Sequence, residues 1–500
     1  MAVSDEQSDM KMRVARTLKW NVVDKVASQL LYAVTGVILA RLLSQADFGL
    51  IGAVLVFQAF GSLFIDSGFS YALIQRKEPT QTDYSTVLWF NLGMAALVYA
   101  ILFFCAPVIA DIFQGDRRLI PLTRVMLLTF IINASAIVQT NRLMKRMEVR
   151  MIAVSNSLGL FAGAIVGIGL AVGGFGVWAL VWQAIAVASV KSAVLWLTGG
   201  WRPDMRFSFP ALRSFFRVGS GMMGTSFLNT LFQYIYPGII GNVAGLVPLG
   251  YYTQSDKWSK MGVSSLSAVL TSSFLPVLSK YQDNPAEFAS SAAKMNRFTS
   301  YLVFPAMIFL IVVATPLFHI LFGTKWDPSI VLFQLLLVRG IFTVLTQLYA
   351  NYVMSRGKAA LMVWTEILRD GITIAAILLT LPYIAQTRPG NPTWGIEVML
   401  WGQVAAGVAA WAATVWIAAP LTWRRRSQFL TDSAPYLAEA LVAAAAMLAF
   451  IPLISNPWLL LPVQLIAGAG VYMGLNAILH SAIQRDALNY IRGRGSKKRL

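Results

Sequence analysis

The sequence predicts an all-α integral membrane protein with about fourteen transmembrane helices. Of its 500 residues, 57% are hydrophobic and 12% are charged, against about 45–50% and about 25% in soluble domains. The mean hydropathy is +0.64. A bilayer-spanning helix needs roughly 20 apolar residues, so a chain of this length holds about a dozen spans and little else. This composition excludes a soluble globular enzyme.

Fourteen apolar runs alternate with charged or turn-rich breaks along the chain. Hydrocarbon offers the backbone no hydrogen-bond partners, so runs of this length are expected to be helices. The predicted spans cover residues 20–40, 48–72, 85–107, 119–141, 151–172, 176–198, 214–241, 251–275, 297–322, 330–351, 361–383, 398–420, 435–454 and 458–481.

The connections between these spans differ strongly in positive charge. The side that holds both termini carries 27 Lys and Arg residues, and the opposite side carries 5. Because Lys and Arg accumulate in cytoplasmic loops, both termini are predicted to be cytoplasmic, which requires an even number of spans. The net charge of +18 is explained by basic residues that set the topology and lie near lipid headgroups. The distribution therefore predicts no nucleic-acid partner.

Three weak motifs recur in the same order and indicate an internal repeat. Ala46-Asp-Phe-Gly49 matches Val247-Pro-Leu-Gly250, and two further pairs begin at Asn141 and Asn351 and at Gly176 and Gly395. We therefore expect two six-helix lobes related by an axis along the membrane normal. The predicted organisation is a cytoplasmic segment 1–19, an N-lobe 20–198, a cytoplasmic connector 199–213 that acts as a hinge, a C-lobe 214–420, a basic loop 421–434, two appended helices 435–481 and a basic tail 482–500.

Several classes of chemistry have no support in the sequence. The chain has one cysteine, Cys105, and two histidines, so neither a disulfide framework nor a clustered metal site is expected. Residues 1–19 lack the apolar stretch of a cleaved signal peptide and are expected to remain. Gly357-Lys358 is followed by Ala359 and lacks the upstream glycine of an ATP-binding phosphate loop. We therefore expect no cofactor, with any energy supplied by H⁺, Na⁺ or the membrane potential.

Basic residues inside the spans are the first candidate site residues, because a charge in hydrocarbon needs a cavity or a partner. An interior with more cations than anions favours an anionic cargo. Arg339 lies about ten residues from either end of its span, too deep to reach an interface. The predicted substrate-binding residues are Arg339, Lys257, Lys260, Arg124 and Lys191. For Lys260, the alternative to substrate binding is an ion pair with Asp256. For Arg124 and Lys191, the alternative is snorkelling to the interface.

Acidic residues inside the spans are the candidates for ion coupling, as proton or sodium sites. They are Asp66, Glu366, Asp370 and Asp24. Glu366, Arg369 and Asp370 also have the helical spacing of a purely structural salt-bridge cluster.

Four segments carry a resemblance to a known family. Residues 39–49 (LARLLSQADFG), 66–78 (DSGFSYALIQRKE), 106–113 (APVIADIF) and 173–181 (GGFGVWALV) closely resemble Wzx-type polysaccharide flippases, in the colanic-acid and lipopolysaccharide exporter branch of the multidrug/oligosaccharidyl-lipid/polysaccharide exporter superfamily. The resemblance extends over residues 18–420. It implies an inner-membrane protein with two lobes around a central cavity, which moves undecaprenyl-diphosphate-linked oligosaccharide to the periplasmic leaflet by secondary-active alternating access. The implied partners are membrane lipids, a polysaccharide polymerase and export machinery.

Three alternative functions compete with this one. A peptidoglycan-precursor (lipid II) flippase is similar enough to stay open. A multidrug or cation antiporter is expected to have an acidic, aromatic pocket, which the basic interior disfavours. A membrane polysaccharide polymerase typically displays acid and base groups in a large outer loop, whereas the longest outer connection, residues 384–397, contains only Arg388 and Glu397 as charges.

Overall fold

The computed structural model describes residues 2–66 and 68–491, and in this part of the chain the regular secondary structure is helical, without strands. The helices are α1 (Ala2–Leu42), α2 (Gln45–Asp66), α3 (Phe69–Gln75), α4 (Gln81–Ile112), α5 (Leu119–Met126), α6 (Thr129–Lys145), α7 (Val149–Val172), α8 (Trp178–Thr198), α9 (Phe209–Val243), α10 (Leu246–Lys280), α11 (Pro285–Val312), α12 (Ala314–Leu321), α13 (Asp327–Ser355), α14 (Met362–Thr380), α15 (Trp394–Leu421), α16 (Arg426–Leu448), α17 (Pro457–Ile478) and α18 (Ala482–Ile491).

Each of the fourteen predicted spans falls mainly on one or two of these helices. Within the described residues, 10 helical segments are long and apolar enough to cross a membrane. The remaining predicted spans correspond to α9, α10, α14 and α16, which are helices but do not meet that apolar criterion. The all-helical, multi-pass class is therefore confirmed, and the number fourteen stays a prediction.

Several helices begin where the sequence supplies a capping residue. Thr80 starts α4 with a capping box: the Asp83 amide donates to Thr80 Oγ1 at 3.2 Å, and the Thr80 amide donates to Asp83 Oδ2 at 2.8 Å. Asn284 and Asn456 cap α11 and α17, each followed by a proline at the first helical position. These groups satisfy amides at the helix start that have no partner within the helix.

The chain divides into two compact units, residues up to Gly250 and residues from Tyr251 onwards. In the first unit, α7 packs against α8 through glycines. A Cβ at Gly163 would lie 2.3 Å from Val187 Cγ2, and one at Gly159 would lie 2.8 Å from the Val187 carbonyl oxygen. Only the absence of a side chain allows this approach, a common device in membrane helix packing.

The connector after α8 is tied along the start of α4. Trp201 Nε1 donates to Gln81 Oε1 at 2.6 Å, and Gln81 Nε2 donates to the Arg202 carbonyl at 2.7 Å. Further along, the Asp204 and Ser208 amides donate to hydroxyls of α4. Residues 199–208 are therefore held to the first unit, and a hinge in the predicted connector has to lie beyond Ser208 or break these bonds.

The first pair of repeated motifs forms a reciprocal contact inside the first unit. A Cβ at Gly49 would lie 1.8 Å from the Leu246 carbonyl oxygen, and a Cβ at Gly250 would lie 1.9 Å from the Gln45 carbonyl oxygen. The starts of α2 and α10 thus pack backbone to backbone, and each needs a glycine. The motif match seen in the sequence corresponds to this close approach.

We predict that Gly49→Ala and Gly250→Ala each destabilise the protein by about 1–3 kcal/mol, the usual cost of forcing extra atoms into a packed contact. The measurement is the midpoint of thermal unfolding in detergent. Gly93→Ala is the matched control, because a Cβ there meets nothing within 4 Å and alanine favours the helix. Unchanged midpoints for both contact variants would contradict the packing described.

Candidate functional site

A cluster of four polar side chains joins three helices of the second unit; we call Asp256, Lys260, Arg339 and Gln403 the Arg339 cluster. Lys260 Nζ lies 2.6 Å from Asp256 Oδ2 within α10. Arg339 of α13 places one guanidinium nitrogen 3.8 Å from Asp256 Oδ1, and another donates to Gln403 Oε1 of α15 at 2.6 Å. The predicted intrahelical pair between Asp256 and Lys260 is therefore confirmed, and Arg339 adds to it.

Small residues let these helices approach each other. A Cβ at Gly340, next to Arg339, would lie 2.5 Å from Val263 Cγ2 of α10, and one at Gly407 of α15 would touch Arg339 Cγ at 3.7 Å. Asp256 and Lys260 share a face of α10 because they are one helical turn apart. The glycine at position 340 thus allows α13 to approach α10 beside the ion pair, whereas the contact at Gly407 is an ordinary one.

The Arg339 cluster carries a net positive charge in a partly accessible position. Two cations share one carboxylate, and the exposed fractions are 28% for Arg339, 41% for Lys260 and 14% for Asp256. A guanidinium supplies a rigid fork of donors that suits phosphate oxygens, and an ammonium supplies a mobile point charge. Because the cluster already has one cation more than it has anions, an anionic group can bind to it.

Lys257 follows Asp256 on α10 and is half-buried. Its Nζ lies 5.6 Å from the centroid of the Trp258 ring, within the range of a cation–π interaction. The structure thus places a third predicted binding residue on the helix that carries Asp256 and Lys260.

A second polar group, in the first unit, brings together a predicted binding residue and a predicted coupling residue. Asn156 Nδ2 of α7 and Ser28 Oγ of α1 each donate to the Asp24 carboxylate at 3.2 Å. Lys191 of α8 packs against Gly159 of α7 and interacts electrostatically with Asp24. Asp24 and Lys191 thus lie among α1, α7 and α8, where Asn156 and Ser28 hold the Asp24 carboxylate.

Arg124 is anchored to the neighbouring helix. Its Nε donates to the Phe103 carbonyl at 3.2 Å, and its guanidinium lies 4.4 Å from the centroid of the Phe103 ring. These contacts attach α5 to α4. The snorkelling alternative is not tested by them.

Asp66 borders a cavity of about 220 Å³ in the first unit. Ser70 Oγ donates to its carboxylate at 2.6 Å, and Asn141 Nδ2 donates to Ser70 Oγ at 2.9 Å. The cavity is lined by Ala59, Ser62, Leu63, Asp66, Gly68, Met223, Ser226 and Thr230. Hydroxyl groups of α2 and α9 thus surround a carboxylate at the end of α2.

The acidic residues of α14 form the salt-bridge cluster that the sequence left as an alternative. Arg369 pairs with Glu366, and its guanidinium lies 2.9 Å from Asp370 Oδ1. Glu366 therefore has a cationic partner one helical turn away, and Asp370 has the same partner at the adjacent position.

One further acidic residue, Glu439 of α16, is not among the candidates predicted from the sequence. It is only 6% exposed, and Asn476 of α17 donates to its carboxylate. Glu439 lies in the predicted span 435–454, so the criterion used for the other acids, a charge inside a span, was sufficient to find it.

We predict that Arg339 and Asp256 are energetically coupled. Asp256→Asn leaves two cations without their carboxylate and is expected to cost about 1–3 kcal/mol. A double-mutant cycle with Arg339→Ala, read from thermal unfolding in detergent, is expected to give a coupling energy of about 0.5–3 kcal/mol. Additive effects of the two substitutions would show that the pair does not interact.

Multi-pass helices with charged groups between them are typical of membrane transport proteins. The matched family model makes the assignment specific: it covers residues 38–331, and the chain belongs to the family described as polysaccharide biosynthesis protein. The resemblance noted in the sequence is thereby confirmed.

Two curated relatives carry names that describe polysaccharide biosynthesis. The succinoglycan biosynthesis transport protein ExoT of Rhizobium meliloti is 27% identical over 73% of this chain and 74% of its own length. The lipopolysaccharide biosynthesis protein WzxC of Escherichia coli is 24% identical over 72% of this chain and 74% of its own length. With the spans, these relatives confirm the prediction of a multi-pass protein of the bacterial inner membrane.

Two solved structures share the fold. The lipid II flippase MurJ, in an inward closed conformation, has a TM-score of 0.72 over 93% of this chain and 100% of its own, at 14% identity. An inward-facing multidrug resistance MATE family transporter of the MOP superfamily has a TM-score of 0.57 over 81% of this chain and 96% of its own, at 16% identity. The chain therefore shares its fold with these two structures.

Proposed function

We propose that this protein is a flippase that moves undecaprenyl-diphosphate-linked oligosaccharide repeat units from the cytoplasmic to the periplasmic leaflet. The product then serves the synthesis of a surface polysaccharide, such as an exopolysaccharide, O-antigen or capsule. The observation that carries the proposal is the similarity to a named polysaccharide transport protein over 73% of the chain. A polysaccharide polymerase and export machinery are the partners that such a product requires.

The diphosphate of this cargo needs cationic partners on its way through the membrane. Arg339, Lys260 and Lys257 are the proposed binding residues in the second unit, and Arg124 and Lys191 are the proposed ones in the first. Arg339 has the best-defined geometry, since Gln403 and Asp256 orient its guanidinium while it stays 28% exposed. The excess of one cation in the Arg339 cluster supports attraction of a diphosphate.

The proposed mechanism is alternating access by fourteen spans with both termini in the cytoplasm. Two six-helix lobes rock about a central cavity, while the lipid tail stays in the bilayer. Two negative charges moving outward across an inside-negative potential of 100 mV release about 4.6 kcal/mol in total. Ion binding at Asp66, Glu366, Asp370 or Asp24 then serves mainly to reset the carrier.

A lipid II flippase is the second candidate, favoured by the fold shared with MurJ. Its cargo is also a polyprenyl diphosphate sugar, so the same cations suit it. Depletion of the protein in its own host separates the two: loss of surface polysaccharide with intact cell wall supports the first function, and failure of cell-wall synthesis supports the second.

We predict that Arg339→Ala lowers the rate of lipid-linked oligosaccharide transfer about ten- to hundredfold. A hydrogen bond to a charged group contributes about 1.5–3 kcal/mol, and each 1.36 kcal/mol of barrier is tenfold in rate. The assay uses proteoliposomes with labelled undecaprenyl-diphosphate oligosaccharide, with voltage, proton and sodium gradients imposed separately.

Lys257→Ala is expected to slow transfer in the same assay. Lys294→Met is the matched control: Lys294 pairs with Asp486 at 2.8 Å and its side chain is 68% exposed, so its charge lies outside the proposed site. If Arg339→Ala and Lys257→Ala both transported like the parent, the assignment of the binding residues would be wrong.

We predict that residues 388 and 425 lie on opposite sides of the membrane. In a Cys105→Ser background, a membrane-impermeant maleimide added to spheroplasts is expected to label Arg388→Cys, and to label Arg425→Cys only after permeabilisation. Both positions are exposed. Labelling of both from outside would refute the cytoplasmic placement of the termini.

A further inference from the structure

Three acidic side chains are buried in the described part of the chain: Asp83, Asp432 and Glu439. Two of them are neutralised by arginine. Arg76 lies 2.7 Å from Asp83 Oδ1, and Asp432 pairs with Arg424 and, at 2.7 Å, with Arg297. Such pairing is the normal condition for a carboxylate that is removed from water.

Glu439 differs from the other two because its partner is a neutral amide. Asn476 Nδ2 donates to Glu439 Oε2, and Asn476 is completely buried. Among the described residues, no lysine, arginine or histidine nitrogen lies within 4.0 Å of the Glu439 carboxylate. An ionised carboxylate here has lost its water without gaining a cation, which is costly inside a membrane.

Asn476 supplies an independent observation that points to a proton. Its Nδ2 is used twice, toward Glu439 and toward the Tyr472 carbonyl at 3.0 Å, whereas its Oδ1 is buried and has no donor among the described residues. A carboxylate is an acceptor only, but a carboxylic acid carries an O–H donor. Protonation of Glu439 thus supplies the kind of group that Asn476 Oδ1 lacks.

The tyrosines of α11, α16 and α17 near Glu439 pack against one another. Tyr301 of α11 packs against the rings of Tyr436 and Tyr472, and the Tyr472 hydroxyl donates to the Tyr301 carbonyl at 2.9 Å. Three charged groups of the adjoining helices have partners of their own: on α11 Lys294 pairs with Asp486 of α18 and Arg297 pairs with Asp432, and on α15 Glu397 accepts from Asn391. His319 of α12 lies 2.8 Å from Asp327 Oδ1, and Glu287 of α11 and Arg485 of α18 are exposed.

Tyr436 lies one helical turn before Glu439 on α16 and contacts the turn that follows α17. Its hydroxyl lies 3.5 Å from Ser481 Oγ in that turn. Tyrosine and serine hydroxyls both donate and accept hydrogen bonds.

We propose that Glu439 and Asn476 form a proton-binding site between α16 and α17. The carboxylate takes up one H⁺ and becomes a carboxylic acid, whose O–H donates to Asn476 Oδ1. A hard metal ion gathers six or more oxygen ligands, which one carboxylate and one amide do not supply. Resting on the proposed function, we assign this proton to the coupling of transport, through the packing of α16 against α17.

The first test measures protonation itself and does not depend on transport. The infrared spectrum of the purified protein at pH 7 is expected to show the band of a buried carboxylic acid. The substitution Glu439→Gln is expected to remove this band. Asp432→Asn is the matched control, since Asp432 is equally buried but paired with two arginines, and is expected to leave the band unchanged. A parent spectrum identical to that of Glu439→Gln would overturn the site.

The second test measures coupling in proteoliposomes with labelled undecaprenyl-diphosphate oligosaccharide. Glutamine keeps an acceptor and a donor at position 439, so Glu439→Gln is expected to keep its thermal midpoint while transfer loses its response to an imposed pH gradient. If Glu439→Gln responds to the gradient as the parent does, the site has no coupling role.

The outcomes of the two tests are independent of each other. If the parent protein does not transfer this lipid at all, the proposed function fails while the infrared result still decides the proton site. If Glu439→Gln unfolds in detergent, Glu439→Asp keeps a carboxyl group at this position. The infrared acid band is then expected to remain but to move in frequency, and a band identical to that of the parent overturns the proposal.

Discussion

The hydrocarbon layer gives a polar group no water, and this constraint shapes the whole chain. Backbone amides and carbonyls are satisfied within helices, which explains the helical structure of the described residues. Ionisable side chains follow the same rule: Asp83, Asp432 and Asp256 each have a basic partner. Where the rule is only partly met, as at Glu439, the exception marks a candidate for function.

The partners of the buried charges also connect the helices to each other. Arg297 of α11 meets Asp432 of α16, and Asn156 of α7 reaches Asp24 of α1. In a membrane the hydrophobic effect does little to hold one helix against another, so close packing and polar contacts contribute most of the specificity. The glycines at positions 163 and 340 allow the close packing, and the polar contacts select which faces meet.

A transporter has to loosen some of these contacts in each cycle, and the clusters differ in how readily they can respond. The Arg339 cluster is partly exposed and has one cation in excess, so an anion can compete for its donors. Asp432 is held by two arginines and is buried, which suits a contact that is kept throughout the cycle. Coupling requires a structural element with two conformations, and a bound ligand that shifts the equilibrium between them.

The sequence by itself determined the helical class, the membrane location, the family and the contacts within one helix. The pairs Asp256 with Lys260 and Glu366 with Arg369 follow from helical spacing, because residues three and four apart share a face. Only the tertiary structure decided the rest: Arg339 meets Gln403 across 64 residues, and Asn156 meets Asp24 across 132. Spacing along a chain does not reveal how a helix is rotated about its axis. That rotation depends on the packing of neighbouring helices, and it decides which charge meets which partner.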